Sequence, residues 1–326
     1  MTRQLRKMLA AAALACLLPA ASAQPAEPWP SRPIRIVVGF PPGGSSDAMA
    51  RLLATELADD LKVAVVVDNR PGAGGVTATQ AVARSAPDGY TLQLATAGSY
   101  TIAPLLQSLP YDPARDLQPI ALLATYPNVL VASAASGLQS LEDLLARAKA
   151  QPGKLNYASS GTGTTPHLAF EYLNMLAGTK VAHIPYKGNG PAVNDLVGGQ
   201  VDLMIGDPSA LLPHAQSGKV RILGATSRSR SPLLPDIRTL SEAGVTGYDV
   251  SLWLGLTGPA GLPVPTVDRL NASVGKALAK PQVAERMRAL WLTPAPGTPA
   301  QFAALMAEER RKWADVIRRN NIQDRP

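Results

Sequence analysis

Read for hydrophobic periodicity, the chain alternates short β-branched runs with stretches in which apolar positions recur at helical spacing. Ile34–Phe40 predicts a buried strand, and Met49, Leu52, Leu53, Leu57 and Leu61 then share one helical face. Val63–Val67 and Tyr90–Ala95 predict further strands, with a helix ending at Arg84 between them. The same grammar resumes with a helix at Leu141–Ala150 and a strand at Leu155–Ala158. A helix opened by Pro166 follows, its expected buried stripe being Leu168, Tyr172, Met175 and Leu176. Strands are expected at Val181–Ile184, Val201–Ile205 and Val220–Ala225, with helices at Ala192–Val197 and Ser209–Ser217 between them. Ser251–Thr257 is strand-like, and a helical tail runs to Ile322, broken at Pro281 and at Thr293–Pro299. Such alternation predicts an α/β fold of parallel-rich sheets with helices on both faces. Two successive series imply two lobes, the second inserted in the first: residues 24–125 with 249–326, and residues 126–248, with a cleft between them and two hinge crossings.

The turns between these elements carry the chemistry. Pro41–Asp47 and Ser159–Thr165 are each rich in Gly, Ser or Thr, and each lies between a strand and a helix. In open α/β sheets ligands settle at the carboxyl ends of strands, where helix N-termini present unpaired N–H groups. Glycine lets a ligand approach that backbone, and hydroxyls add donors. One such loop falls in each lobe, so the pair predicts a site that grips an oxyanion from two sides. Thr96-Ala97-Gly98-Ser99 is a third bare loop. Neither a phosphate-loop Gly-Lys-Ser/Thr nor a G-x-G-x-x-G fingerprint occurs at Gly43-Gly44-Ser45-Ser46, which favours a carboxylate over a nucleotide.

Composition refines the setting. The 326 residues are 46% hydrophobic and 17% charged, as in an ordinary globular protein. Arg3, Arg6 and Lys7, an apolar run and the small-residue Ala21-Ser22-Ala23 predict an export signal cleaved after Ala23, and hence an exported protein. A lipoprotein ending at Cys16 is disfavoured by Ala13. Cleavage removes three of 31 basic residues, leaving 28 against 24 acidic ones, too mild and diffuse a surplus for nucleic acid. The single cysteine leaves too, so neither a disulfide nor a thiol nucleophile is expected.

Catalytic patterns are missing. The histidines at 167, 183 and 214 have no metal-ligand spacing, and no G-x-S-x-G elbow occurs. Ser273-Val274-Gly275-Lys276 matches S-x-x-K, but lies in a helical pattern without its partner motifs. No catalytic constellation and no metal-ligand spacing survive this screen. An enzyme in the same cleft would have to rely on His167 and Asp207. The basic, amphipathic RRKWADVIRRN predicts a packed terminal helix.

The blocks WPSRPIRIVVGFPPGGSSDAMAR, NRPGAGGVTATQAVARSAPDGYTL, LNYASSGTGTTPHLAFEYLNMLAG, HIPYKGNGPAVNDLVGGQVDLMI and SPLLPDIRTLSEAGVTGYDVSLWLGLTGPAGLPVPTVDRLNA resemble, in unbroken order, the tripartite tricarboxylate transporter substrate-binding proteins, the Bug receptors of Bordetella and its relatives. The resemblance implies a periplasmic binding protein fold of type II that closes on a small carboxylate and delivers it to a membrane permease, in the periplasm and with no cofactor and no catalysis. A periplasmic sensor docking to a membrane sensor kinase is the alternative, and a monomer is expected. Carried over, the family's first carboxylate loop corresponds to Phe40, Pro41, Gly43, Gly44, Ser45 and Ser46. The opposing loop corresponds to Ser160, Gly161, Thr162, Gly163, Thr164 and Thr165, with His167 just beyond. Many members have a third glycine and a threonine where this chain has Gly43-Gly44-Ser45-Ser46. Ala97, Ser99, Tyr100, Tyr186 and Asp207 are the candidates for ligand selectivity. Asp207 has two readings: an acid that meets a ligand ammonium, as the resemblance implies, or an N-cap ahead of Pro208. The ligand could be a mono-, di- or aromatic carboxylate or an amino acid, with a slight lean to dicarboxylates.

Overall fold

The computed structural model describes residues 29–322, so the expected export signal at 1–23 lies outside the described residues. Eleven strands among them form two mixed sheets. The first has the order β11-β4-β10-β3-β1-β2: β1 (Ile34–Val38), β2 (Val65–Asn69), β3 (Thr91–Thr96), β4 (Leu117–Pro127), β10 (Ser251–Pro259) and β11 (Thr293–Pro294). The second has the order β7-β6-β8-β5-β9: β5 (Val129–Ser133), β6 (Asn156–Ser159), β7 (Ala182–Pro185), β8 (Leu203–Gly206) and β9 (Val220–Ala225). The helices of eight or more residues are α1 (Ser45–Leu61), α2 (Val76–Ala83), α4 (Leu141–Ala150), α5 (Thr165–Ala177), α6 (Asn189–Val197), α7 (Pro208–Gln216), α8 (Val264–Leu278), α9 (Pro281–Ala289) and α10 (Pro299–Arg319), with a single turn, α3 (Ala103–Leu106), between α2 and α4.

Both sheets bury both faces, as the period-two alternation of their strands requires. Ile34, Ile36 and Val38 pack beneath α1, α8 and α9, while Val37 faces α2, Trp253 and Phe302. In the second sheet Leu130, Ala132 and Tyr157 meet α4 and α5, while Val129, Val131 and Ala158 meet α6 and α7.

Two expectations are corrected here. The sheets are not simply parallel-rich: β4 and β10 pair antiparallel to each other, β10 runs antiparallel to β3, and β5 runs antiparallel to both β8 and β9. β4 and β5, which the periodicity does not predict, carry much of this pairing. Pro119 and Pro127 argue against a strand in that stretch. Pro119 is tolerated because β11 pairs only with Thr125 and Ala124, leaving that edge of β4 without a ladder there, and Pro127 because it ends the strand. The buried stripe of α5 is also different, with Phe170 and Leu173 inside beside Leu168 while Leu176 is exposed.

The chain passes from the first sheet to the second at Asn128, the one residue between β4 and β5, and returns between β9 and β10. Thr226 joins the two crossings. Its Oγ1 accepts the Asn128 N–H (2.9 Å) and donates to the Val250 carbonyl (2.8 Å), while its own N–H donates to the Asn128 carbonyl (2.9 Å). The C-terminal helix divides its packing: Phe302 sits against the first sheet, whereas Trp313 and Val316 enter the core of the second. The last helix thus spans both lobes, where the sequence had placed it with the first alone.

Candidate functional site

The first bare loop follows β1 and opens α1. Its shape is set from behind by Asp47, whose Oδ2 accepts the Gly43 N–H (3.0 Å) and the Arg51 Nε–H (3.0 Å). Asp47 Oδ1 accepts from Asn69, which also donates to the Phe40 carbonyl (3.0 Å). The Arg51 hydrogen bond, with the Gly43 amide and Asn69, holds the Asp47 carboxyl down at about 2. Gly43 takes φ +92°, a conformation that favours glycine. The N-cap, Gly44, has no side-chain cap, so the first-turn N–H groups of α1 have no acceptor in their own helix.

The second loop follows β6 and opens α5, and it rests on a stack of rings. Phe170, Tyr157, His183 and His167 lie face on face, with centroids 3.9 Å apart for Phe170–Tyr157, 4.9 Å for Tyr157–His183 and 3.9 Å for the two histidines. His167 Nδ1 accepts the Gly163 N–H (3.0 Å), and His183 Nε2 lies 2.7 Å from Ser159 Oγ, which accepts the Gly161 N–H. Burial, reinforced for His167 by the neighbouring ring, pushes His167 down to about 3, and burial alone pushes His183 down to about 4. Both are neutral at pH 7, as the acceptor role of His167 requires. Thr164, the N-cap of α5, also lacks a side-chain cap.

These two helix N-termini open into one cleft of about 770 Å³ between the lobes. Phe40, Pro41, Gly44, Ser45 and Ser46 line it from the first lobe, with Ala97. Ser160, Thr162, Gly163, Thr164 and Thr165 line it from the second, with Asp207.

The remaining candidates do not reach the cleft wall. Tyr100 is 1% exposed, and its hydroxyl donates to Gln93 Oε1 (2.8 Å) and contacts Thr257 Oγ1 (2.6 Å) inside the first lobe. Ser99 is equally buried, with its hydroxyl turned to the Thr96 carbonyl. The reason is local: Gly98–Ile102 is a wide helical turn rather than an open loop, and it rotates both side chains inward. His167 supports the loop from below. Tyr186 donates to Asp195 (2.7 Å). Gly43 and Gly161 shape their loops, Gly161 through its carbonyl, which accepts from Thr164 Oγ1 (2.7 Å).

Sequence reasoning missed part of the wall. Tyr126 and Asn128 come from the first crossing, Leu252 and Leu254 from β10, and Trp291 from the connection after α9. Trp291 has φ +60°, unusual for a bulky residue, and packs against the core of the second lobe. Only its position beside a lobe interface marks it, and that is a tertiary fact. No Lys, Arg or His is among the described lining residues, and Asp207 is their one acid. Asp207 stands at the N-cap position of α7 but makes no capping hydrogen bond, and desolvation raises its pKa. No group of three or more potential metal ligands occurs among the described residues.

Comparison with known proteins agrees with this architecture. A profile of the family described as tripartite tricarboxylate transporter family receptor (TctC) matches residues 49–322. The chain is 40% identical to protein BugT of Bordetella pertussis over 295 residues, 90% of each chain. Among solved structures it resembles a Rhodopseudomonas palustris protein with adipate (33% identity, TM-score 0.77, 90% of this chain and 99% of that one). It also resembles MatC of Rhodopseudomonas palustris with bound malate (35% identity, TM-score 0.73, 89% of this chain and all of that one). With this fold, this paired-loop cleft and a match over most of its length, the chain belongs to the tripartite tricarboxylate transporter receptor family, that of the Bug solute-binding proteins.

Proposed function

We propose that this protein is a periplasmic receptor that captures a small carboxylate in the interlobe cleft and delivers it to a membrane permease of the tripartite tricarboxylate type. The observation that carries this reading is the pair of uncapped helix N-termini, α1 and α5, opening into one cleft whose described lining has no cationic side chain. Anions are stabilised there by oriented N–H groups and helix dipoles, without a dedicated arginine. The carboxylates held by the two Rhodopseudomonas palustris relatives support the same class for this chain. Two crossings give few residues to absorb a rotation, which suits closure around the captured acid.

The test is a thermal-shift panel of carboxylates on protein refolded free of co-purified ligand. A true ligand at a hundred times its dissociation constant stabilises the native state by about 2.7 kcal/mol. A saturable shift with one or a few acids is the expected result. Native protein that answers no acid in a broad panel would sink the reading.

A further inference from the structure

The cleft offers hydrogen-bond donors at the helix N-termini, and elsewhere in its lining two buried side-chain acceptors are left without a partner. Asn128 lines the cleft and is 2% exposed, yet its side-chain Oδ1 has no hydrogen-bond partner. Its backbone is fully committed to Thr226 through both N–H and carbonyl, so the residue is held in place with its carboxamide unspent. Buried polar atoms are nearly always paired, and an orphan costs about 1–3 kcal/mol. Asn189, at the start of α6, repeats the feature: it lines the same cleft, and its Oδ1 is likewise buried and without a partner. The strand register adds a third group. Val129 stands opposite Gly206, which brings Asn128 and Asp207 side by side at the ends of β5 and β8. Asp207 is the sole charged side chain of the described lining and makes no capping bond.

We propose that Asn128, beside Asp207, reads a hydrogen-bond-donating substituent of the ligand, a hydroxyl or an ammonium group. The inference rests on the carboxylate reading of the cleft and narrows its substrate class to acids that carry such a donor. The substituent satisfies acceptors that nothing in the protein satisfies, and an acid without it leaves them desolvated and unpaired. Discrimination of this kind is strong, because a site built to hydrogen-bond a group rejects analogues that lack it. Since Asn128 is also the crossing residue, the contact falls on the segment about which the lobes turn.

The experiment is calorimetric titration of the purified protein with linear acids of matched length, each in unsubstituted, hydroxylated and aminated form. The expected result is that the hydroxylated or aminated form of at least one length binds ten times more tightly or better than its unsubstituted counterpart. Asn128→Ala is expected to collapse that ratio towards one. Asp207→Asn separates the two donors: it removes a preference for the ammonium form and spares a preference for the hydroxyl form. Unsubstituted acids binding the wild-type protein as tightly as their substituted forms would overturn the proposal while leaving the carboxylate reading intact. So would an Asn128→Ala protein that is natively folded and keeps the wild-type ratio. Absence of binding by all three forms at every length would overturn the proposal, and together with no response to the broad panel it would overturn the carboxylate reading too. The wild-type comparison decides the matter even if the variant fails to fold.

Discussion

The support of the second loop is a matter of two imidazoles. His167 accepts the Gly163 N–H and His183 meets Ser159 Oγ, and burial holds both rings neutral, at about 3 and about 4. In the unfolded chain both titrate near 6.5. Between those values the unfolded state binds protons that the folded state does not, so stability is fully present above about pH 6.5 and falls as the pH is lowered towards 4. Each histidine contributes at most about 1.4 kcal/mol per pH unit in that window. Urea unfolding at pH 7 and pH 5 is expected to show lower stability at pH 5, and a His183→Gln variant a visibly flatter dependence. An equal slope in the variant would mean that His183 titrates normally in the fold. Asp47 does the corresponding work for the first loop, and its depressed carboxyl matters only at far lower pH.

At the scale of elements, the two strand–loop–helix units look alike in sequence but differ in what surrounds their glycines. A Cβ at Gly44 would meet nothing within 4 Å, and the backbone there is extended, with φ −83°. Gly163 has φ +75°, and a Cβ would come within 2.7 Å of Leu106. Gly44→Leu is therefore expected to fold with an unchanged melting temperature while its side chain occupies the cleft. Carboxylate affinity should drop at least about a hundredfold, or about 2.8 kcal/mol. Gly163→Leu is expected to lose both melting temperature and binding, through backbone strain and the Leu106 contact. Calorimetry and thermal unfolding of the two variants side by side would reveal whether the first loop touches the ligand. A Gly44→Leu protein with native affinity would show that it does not.

Across the whole molecule, the lobes are joined at few points. Thr226 hydrogen-bonds to both crossings, and α10 spans from Phe302 in one core to Trp313 in the other. Lys312 extends the second link by donating to the Asp249 carbonyl (2.9 Å) beside the return crossing. Thr226→Val keeps the shape but leaves the buried Asn128 N–H without its side-chain acceptor, an expected loss of about 1–3 kcal/mol. Denaturant unfolding should show the midpoint falling with an unchanged m-value. An unchanged midpoint would mean that the crossings are held by other contacts.

Helical periodicity marks α4 in full and the buried face of α1 up to its end at Leu61, because a one-sided apolar stripe has a single way to be buried. The bare loops at Pro41–Asp47 and Ser159–Thr165 were legible for a similar reason, since glycine and hydroxyl residues between a strand and a helix are a local signal. What the sequence could not express is direction. Ser99 and Tyr100 sit in a small-residue stretch that looks like a loop, and only the wide turn and the Gln93–Thr257 pair behind it show that they face the core. Strand β4 was hidden because a proline such as Pro119 is acceptable only where the neighbouring strand makes no demand on it, and the short β5 carries no alternation to mark it. Of the rest of the cleft, Asp207 was named only through the resemblance, and Asn128 and Trp291 were beyond local reading. Asn128, Asp207 and Trp291 lie far apart in the chain, and they share one wall because two sheets meet there. Local chemistry thus determined most of the elements and the anion-ready loops. The pairing of sheets across the crossings decided which side chains face the ligand, because that depends on contacts between residues remote in sequence.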